Sequence, residues 1–476
     1  MNPYNFLIPR LNGDEIEDRF DYYAGLVRKG VAGFIIFGGE IESLRDGIRR
    51  LQEIAKHQLI IASDLEAGLG QQVRGGTLYP PAMAIAKALS RIGGERNYYL
   101  KRLYSSIASE AQYVGINTIL APVLDINSNP ENPIIATRSF GEDPETVSFH
   151  GTSMIKIYKE MGIISCGKHF PGHGDTDRDS HQELPVINKG LGELEEFELV
   201  PFKRAILSSV DMIMLGHLSV PCLDPSGIPA TISSRIVKYL RDEMAFKGLV
   251  ITDAMNMGGL SGYPEEEASL MALMAGTDLI LHPSDPDSVA GYIGDRVKAE
   301  DRLKALSFRL TSALSPQPSA FSQPDFTSNR ELASELFYKA ITYKGNKRGI
   351  KKPFLIVISD ETITTSYFTD WFKGAFGENR VLFLNETVIP WQRIPERSER
   401  VVSIFSEARA WKEKSLNFKD LLNKFNKKVE VFLSFGNPYI LSKIKSPTIF
   451  AYSTSEEAQI AMVRYIKEKG LFNETT

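Results

Sequence analysis

Short apolar runs alternate with amphipathic segments along the first two thirds of the chain. Helical periodicity fills the gaps between the runs, as in DGIRRLQEIAKH and SRIVKYLRDEMA. Each run is rich in Ile, Leu and Val and precedes a polar turn, which is typical of buried parallel strands in βα units. The eight runs are NFLIP (5–9), GFIIF (33–37), QLIIAS (58–63), NTILAP (117–122), IISCGKH (163–169), DMIMLGH (211–217), LVITD (249–253) and DLILH (278–282).

Eight strand–helix units predict that residues 1–315 form a (β/α)8 TIM barrel that carries the chemistry. An open, doubly wound parallel sheet is the alternative, because it is built from the same units. The number of repeats and the lack of a glycine-rich dinucleotide motif in the sequence favour the barrel.

The composition changes after the predicted barrel. The segment SPQPSAFSQPDFTSN (315–329) is rich in proline and serine, which indicates a linker over residues 316–345. Residues 346–476 contain five further apolar runs, which predict a smaller α/β domain of the αβα sandwich type. No dense cluster of titratable residues accompanies these runs in the sequence. We therefore expect this domain to supply support, a pocket wall or an oligomer contact.

Overall composition is that of a globular protein, with 43% apolar and 24% charged residues. A formal net charge of −4 gives no reason to expect nucleic acid or an anionic membrane as partner. Cys166 and Cys222 lie in apolar runs, which favours two reduced thiols over a disulfide. We find neither a signal-peptide pattern nor an apolar run of about 18 residues, so we expect a cytoplasmic protein. A homodimer is left open.

Polar side chains concentrate where the predicted strands end. Active sites of TIM barrels lie on the face where the βα loops emerge, so these residues are expected to share one pocket. One such residue alone could be a cap or a solvated turn, whereas a set on one rim predicts a site. The set consists of Asp64, Asp125, Lys168, His169, His217, Asp253 and His282.

The loop KHFPGHGDTDRDSH (168–181) allows three interpretations: a metal site, a solvated loop or an acid/base device. His169, His173 and His181 could be zinc ligands. However, Pro171 and Gly172 prevent a regular helix from placing the first two rings on one face, as an HExxH site requires. A metal is therefore not expected, while a plain solvated loop stays open for this segment alone.

Asp253, at the end of LVITD, is either the N-cap of a helix that begins at Ala254 or a nucleophile. Asp179 and His181 are close enough in sequence for the carboxylate to orient the imidazole and to raise its pKa. A carboxylate nucleophile and a general acid are the minimum for retaining glycoside hydrolysis. A neutral imidazole would also not repel an anionic acceptor such as phosphate.

Other polar residues on the predicted rim suit sugar binding. Asp64 can accept hydrogen bonds from vicinal hydroxyls, and a buried Lys168 must find acceptors. Arg138 precedes a helix start at Asp143 and Pro144; its guanidinium could hold a sugar, or it could pair with a neighbouring acidic residue. We expect His217 and His282 to support the site rather than to react.

Five motifs together resemble glycoside hydrolase family 3: KHFPGHGDTDRDSH, VITDAMNM, APVLDINSNP, RSFGEDP and GTDLILHP. The resemblance covers about residues 5–315, and GDTDRDSH resembles the family's β-N-acetylglucosaminidase branch. It implies that Asp253 is the nucleophile and that His181 is the acid/base, with Asp179 as its partner. The implied sugar-binding residues are Asp64, Arg138, Lys168, His169 and, only if two residues are inserted in LEAGLGQQVRGG, Arg74.

The same resemblance implies an activity. It is the removal of a terminal β-linked N-acetylglucosamine, for example from peptidoglycan-derived fragments, with a small carbohydrate as partner and no metal or organic cofactor. A β-glucosidase or a phosphorylase of the same family is the nearest alternative. A metal-dependent hydrolase is the alternative from another class.

Overall fold

The computed structural model describes residues 2–180, 182–296, 322–346, 349–359, 362–384, 389–407, 422, 425 and 429–472. The chain divides into two compact units. One comprises Met1–Leu78, Asn97–Ile135 and Ser139–Arg330, and the other comprises Tyr79–Arg96, Ala136–Arg138 and Glu331–Thr476. None of the helices in the described ranges combines the length and the apolar character needed to cross a bilayer.

Parallel strands form the centre of the first unit. Its first strand is split at Pro9, and counting the two halves as one gives eight strands in the described part of this unit. Each of the eight apolar runs of the sequence contains one of them. They are β1 (Leu7–Ile8) and β2 (Arg10–Asn12), β3 (Gly33–Phe37), β4 (Ile60–Ser63), β5 (Thr118–Ile119), β6 (Ile164–Phe170), β7 (Met212–Leu215), β8 (Leu249–Thr252) and β9 (Ile280–Leu281).

Hydrogen bonds close these strands into a ring. Strands β2 to β8 pair in sequence order, all in parallel. Thr252 N–H donates to the Leu279 carbonyl (3.1 Å), which joins β8 to β9. β9 pairs with β1, and Ala32 N–H donates to the Leu7 carbonyl (3.0 Å), which joins β1 to β3. The prediction of a (β/α)8 barrel is confirmed, and the open sheet is not formed.

Helices follow the strands, and their boundaries match the signals in the sequence. Pro144 is the first residue of α5, and the Asp143 carboxylate caps it by accepting from Thr146 N–H at 2.8 Å. The helices of residues 20–293 are α1 (Phe20–Lys29), α2 (Ile41–Ile54), α3 (Ala82–Leu89), α4 (Arg96–Val114), α5 (Pro144–Glu160), α6 (Leu191–Glu196), α7 (Leu199–Leu207), α8 (Ser234–Lys238), α9 (Glu265–Ala275) and α10 (Pro286–Ile293).

The interior of the barrel is filled by apolar side chains. Burial raises the pKa of the Cys166 thiol, which lies among them, while Cys222 is half-buried; both are free thiols. Because every strand runs in the same direction, the carboxyl ends of the strands share one rim. Residues within a strand or directly after one that are at most 1% exposed are Ile35, Ile60, Leu120, Cys166, Met212, Ile251 and Ile280.

The second unit contains a mainly parallel sheet in the order β10-β15-β14-β13-β11-β12, with β10 antiparallel to its neighbour. One face packs on α11, α12 and α13, and the other packs on residues such as Ile389, Ile394 and Leu441. The elements are α11 (Phe326–Ala340), β10 (Thr342–Lys344), β11 (Pro353–Ser359), α12 (Ser366–Phe376), β12 (Val381–Leu384), β13 (Glu399–Ser406), β14 (Val431–Gly436), β15 (Thr448–Phe450) and α13 (Glu456–Glu468).

The described part of the predicted linker, residues 322–345, contains regular secondary structure. Residues 316–321 lie outside the described residues, but α11 and β10 occupy most of the rest of 316–345. The apolar residues Leu332, Leu336 and Phe337 are fully buried and give α11 a packed face. Proline and serine up to residue 329 dominated the composition of the segment and masked this periodicity.

Candidate active site

Lys168, near the carboxyl end of β6, is the centre of an ion cluster at the rim of the barrel. Its ammonium group is only 2% exposed and lies 2.7 Å from Asp64 Oδ1, at the end of β4. It also lies 2.8 Å from Glu66 Oε1, a carboxylate that the sequence prediction missed. The Asp64 side chain is 27% exposed, so the cluster presents a carboxylate towards solvent with the lysine buried behind it. Lys168 and Asp64, both predicted to lie on the rim, are thus in direct contact, while sugar binding by them stays a prediction.

His169 is fixed by Asp125, which is fully buried. Asp125 Oδ2 lies 2.7 Å from His169 Nδ1, while Oδ1 accepts from the backbone N–H of His169 (3.1 Å) and of His173 (2.7 Å). Burial alone would raise the pKa of Asp125, but the two histidines and their hydrogen bonds outweigh it and lower that pKa. Asp125 is therefore a carboxylate, and Nδ1 of His169 is the donor. A neutral ring then has its acceptor at Nε2.

His173 connects this cluster to the segment that contains the predicted acid/base pair. Its ring is 1% exposed, with Nδ1 at 2.8 Å from Thr176 Oγ1 and Nε2 at 2.9 Å from Ser180 Oγ. Burial lowers the pKa of His173 to about 4, so the ring is neutral at physiological pH. Both ring nitrogens are engaged in hydrogen bonds, which disfavours the zinc interpretation. Among the described residues we find no group of three His, Cys, Asp or Glu side chains that could hold a metal ion.

Asp253 directly follows β8 and has a half-buried side chain. Its Oδ1 accepts a hydrogen bond from the N–H of Ala254 at 2.8 Å. The chain continues as a turn, and the next helical segment is a short 3-10 helix that starts at Gly258. Asp253 is therefore not the N-cap of a helix beginning at Ala254, and that interpretation is wrong. The structure instead shows a carboxylate on the rim that caps no helix.

A backbone hydrogen bond joins the β6 loop to the β8 loop. Gly259 N–H, in the segment that follows Asp253, donates to the Ser180 carbonyl at 2.7 Å. A Cβ at Gly259 would lie 3.0 Å from that carbonyl oxygen and 2.8 Å from His217 Cβ, so only glycine fits without displacement. His217 Nε2 donates to the Ala254 carbonyl (2.9 Å), which supports the segment beside Asp253. This agrees with the supporting role predicted for His217.

The predicted acid/base pair is only partly described. Asp179 is 8% exposed, and its carbonyl accepts the N–H groups of Gln182 and Glu183, both at 3.0 Å. His181 lies outside the described residues, so the pairing of Asp179 with His181 stays a prediction.

Two arginines, Arg74 and Arg138, are predicted from the sequence motifs to bind sugar. Arg74 has a side chain that is 58% exposed, with Nη2 at 2.7 Å from Asp14 Oδ1 and Nε at 2.5 Å from Glu40 Oε1. Its guanidinium thus holds two carboxylates at the surface. Arg138 ends a 3-10 helix, Ala136–Arg138, that groups with the second unit. Sugar binding by either arginine stays a prediction.

His282, at the end of β9, has a pKa lowered to about 4 by burial and by Arg10. A neutral, largely buried ring agrees with the supporting role predicted for it.

A second ion cluster lies beneath the β6 loop, and the sequence prediction missed it. Lys189 Nζ lies 2.5 Å from Glu198 Oε1 and 3.3 Å from Asp175 Oδ2. Burial alone would lower the pKa of Lys189, but the two carboxylates outweigh it and raise that pKa. The lysine therefore joins both ends of the segment that contains Asp179. Nothing in the local sequence pattern pairs these residues, because the contact depends on how the loop returns to α7.

Comparison with known proteins identifies a family to which the chain is similar. The family model described as "Glycosyl hydrolase family 3 N terminal domain" matches residues 15–310. The chain is similar to Beta-hexosaminidase A of Pseudoalteromonas piscicida, with 31% identity over 358 residues, covering 66% of this chain. The match spans 59% of that relative, less than two thirds of its length.

Solved structures agree with the family match. A family 3 beta-N-acetylglucosaminidase from Paenibacillus sp. str. FPU-7 has a TM-score of 0.81 and 26% identity, covering 99% of this chain and 97% of its own. NagZ from Neisseria gonorrhoeae, solved in complex with N-trifluoroacetyl-D-glucosamine, has a TM-score of 0.58 and 27% identity. That comparison covers 69% of this chain and 95% of NagZ.

Proposed function

This chain belongs to glycosyl hydrolase family 3, and from that premise we propose that it is a retaining exo-β-N-acetylglucosaminidase. The observation that carries the proposal is the position of Asp253, a half-buried carboxylate that directly follows β8 on the barrel rim. The Ser180–Gly259 hydrogen bond draws the loop with the predicted acid/base pair towards the segment that follows this carboxylate. The names of the relatives, a beta-hexosaminidase and a beta-N-acetylglucosaminidase, support the glycone.

The proposed reaction has two steps. In the first, the Asp253 carboxylate attacks the anomeric carbon, while the His181 imidazolium gives its proton to the departing aglycone oxygen. In the second, the neutral imidazole takes a proton from water, which attacks the same carbon and releases the sugar with its β configuration retained. Asp179 orients the imidazole and favours its protonated form in the first step. The roles of His181 and Asp179 rest on the sequence motif.

Sugar recognition is assigned to the ion cluster around Lys168. Asp64 can accept hydrogen bonds from hydroxyls while Lys168 donates, and the buried Glu66 balances the charge of the ammonium group. His169, fixed through Asp125, offers Nε2 from the same strand. Arg74 and Arg138 complete the binding set inferred from the motifs. The N-acylated glucosamine with which NagZ was solved in complex supports a glycone of that type.

The natural substrate and location belong to the same proposal. We infer that terminal N-acetylglucosamine on peptidoglycan-derived fragments is the substrate and that the protein works in the cytoplasm. The family resemblance supports the first inference, and the presence of two free thiols accords with the second.

The proposal is tested with 4-nitrophenyl β-glycosides of N-acetylglucosamine and glucose, each with and without phosphate. We expect hydrolysis of the N-acetylated substrate at a rate that phosphate does not change, with the β anomer as the first product in proton NMR. Phosphate-dependent formation of a sugar 1-phosphate would instead identify a phosphorylase. A preference for the plain glucoside would identify a glucosidase, and loss of activity with a chelator would favour a metal-dependent hydrolase.

The nucleophile is tested by Asp253→Ala. We expect kcat to fall on the order of 10⁴-fold or more, as for other catalytic nucleophiles. The substitution removes the hydrogen bond from Ala254 N–H at a half-buried position, so the free energy of unfolding should fall by about 1 kcal/mol. Near-normal turnover in a folded variant would refute the assignment.

A further inference from the structure

We propose that Ser180 is a positioning residue: it holds the Asp179–His181 segment against the loop of the nucleophile. Its hydroxyl is bonded to His173 Nε2 at 2.9 Å, and its backbone carbonyl accepts from Gly259 N–H at 2.7 Å. Ser180 is fully buried, and in the sequence it stands between the two members of the predicted acid/base pair. The inference rests on the proposed function, because it concerns the delivery of the proton donor.

The hydrogen-bond donors and acceptors around His173 can be assigned in one consistent direction. Thr176 Oγ1 donates to the His173 carbonyl at 3.0 Å, so towards His173 Nδ1 the same oxygen must accept. Nδ1 then carries the ring proton, and Nε2 of the neutral ring is an acceptor. The Ser180 hydroxyl is therefore the donor to Nε2, and an alanine at position 180 leaves this buried nitrogen without its donor.

His173, which receives the Ser180 hydroxyl, is itself held in place by several hydrogen bonds. Asn132 Nδ2 donates to the His173 carbonyl (2.9 Å), and the side-chain Oδ1 of Asn132 accepts the N–H groups of Ile134 and Ile135. His173 N–H is also bound by the buried carboxylate of Asp125. The ring that receives the Ser180 hydroxyl is thus anchored to the loop that follows β5 and cannot follow a displaced loop without breaking several buried hydrogen bonds.

The second contact of Ser180 fixes the distance between the two halves of the site. Its carbonyl is bonded to the loop that begins at Asp253, and no side chain larger than hydrogen fits at Gly259. One residue therefore joins the wall of the barrel, the loop of the proton donor and the loop of the nucleophile. Loss of the hydroxyl frees this loop on one side, and a misplacement of about 1 Å is enough to impair proton transfer.

The test is the dependence of kcat/KM on the leaving group in Ser180→Ala. Substrates are 2,4-dinitrophenyl, 4-nitrophenyl and 4-methylphenyl β-N-acetylglucosaminides together with chitobiose. A dinitrophenolate leaves without help, whereas a sugar hydroxyl needs the general acid. We expect kcat/KM to fall about tenfold on chitobiose and less than about twofold on the dinitrophenyl substrate. The ratio of the two losses does not depend on the fraction of folded enzyme, so it is informative even if the variant folds poorly.

Ser165→Ala is the matched control. Ser165 is equally buried on β6, but its hydroxyl donates to Asp211 at 3.0 Å, at the amino end of the strand. This variant should lose stability without a change in the leaving-group dependence. His173→Ala should reproduce the effect of Ser180→Ala, and the double variant should be no worse on chitobiose than either single variant, because both remove one contact.

The outcomes separate this inference from the proposed function. A wild-type enzyme with the expected activity, and a Ser180→Ala variant that loses the same factor on all substrates, would leave the function intact and overturn the positioning role. Additive losses in the double variant would overturn it as well. A wild-type enzyme that cleaves no N-acetylglucosaminide would overturn both.

Discussion

Asp125→Asn tests whether the buried carboxylate of this site is held as an anion by its surroundings. The substitution preserves shape, so the amide oxygen can keep the two N–H bonds of His169 and His173 now made by Oδ1. The amide NH2 group would then replace Oδ2, 2.7 Å from His169 Nδ1. Two donors would face each other unless the His169 ring moves its proton to Nε2.

Asp125→Asn destabilises the fold through the hydrogen bonds that it removes or weakens. A hydrogen bond to a charged group is worth about 1.5–3 kcal/mol, and the His169 ring bond is lost while two others lose their charge assistance. A neutral asparagine avoids the free-energy cost of burying a charged carboxylate. However, the lowered pKa of Asp125 indicates that the favourable contacts of the carboxylate outweigh this cost. We therefore expect a net loss of about 2–3 kcal/mol. With an unfolding entropy of roughly 0.6 kcal/mol/K for a unit of about 300 residues, Tm should fall by about 3–5 °C.

The assay is thermal unfolding of wild type and variant between pH 3 and pH 8. Because the folded pKa of Asp125 lies below its unfolded value, its contribution is fully present above about pH 4 and is lost as the pH falls through the folded pKa. The difference in Tm should thus be constant near neutrality and shrink in acid.

Asp211→Asn is the matched control for this experiment. Asp211 also accepts a backbone N–H, from Ser165, but burial raises its pKa. Its ionised form is therefore disfavoured in the fold, and at neutral pH Asp211→Asn should leave Tm unchanged or raise it. An Asp125→Asn variant as stable as wild type at pH 7, or a difference that grows in acid, would refute the reasoning.

Three further substitutions test the ion clusters and the packing of the β6 loop. Lys168→Met removes the cation beside Asp64, so we expect a loss of about 2–3 kcal/mol in urea unfolding and a raised KM. Lys189→Met leaves a buried carboxylate without its cation and should cost about 3 kcal/mol by the same measurement; adding Glu198→Gln should recover part of it. Gly174→Ala would place a Cβ 1.7 Å from the Ile126 carbonyl oxygen and should cost about 3 kcal/mol or more in thermal unfolding, whereas Gly262→Ala, with open space around it, should cost less than about 1 kcal/mol. An intact Tm in Gly174→Ala, or equal urea midpoints for Lys168→Met and wild type, would contradict these expectations.

Sequence periodicity was sufficient for the barrel because most of its strands are dominated by apolar residues and helical segments lie between them. The candidate residues at strand ends followed from the barrel, since a closed parallel ring places all those ends on one rim. Lys168 and Asp64 therefore meet although 104 positions separate them. The sequence does not distinguish an N-cap from a nucleophile at Asp253, because both are an aspartate at the end of an apolar strand. They differ in the backbone conformation after the carboxylate, which only the structure shows.

Contacts between loops could not be predicted from the sequence. The pairing of Lys189 with Glu198, and of Ser180 with His173 and Gly259, depends on the path of a loop without regular periodicity. Glu66 carried a signal that was available, a second carboxylate two residues after Asp64. The edge strand β10 escaped prediction because its three residues are half-buried or exposed and show no alternation of burial.

Covalent labelling shows whether Asp253 bonds to the sugar, as the proposed two-step reaction requires. A 5-fluoro-N-acetylglucosaminyl fluoride slows both steps while its good leaving group still permits the first. Peptide mass mapping after incubation should find one fluorinated sugar on the peptide that contains Asp253, and none in Asp253→Ala. A label on another residue would show that Asp253 is not the nucleophile. Steady release of product with no labelled peptide, which substrate-assisted catalysis through the acetamido group would give, would show the same.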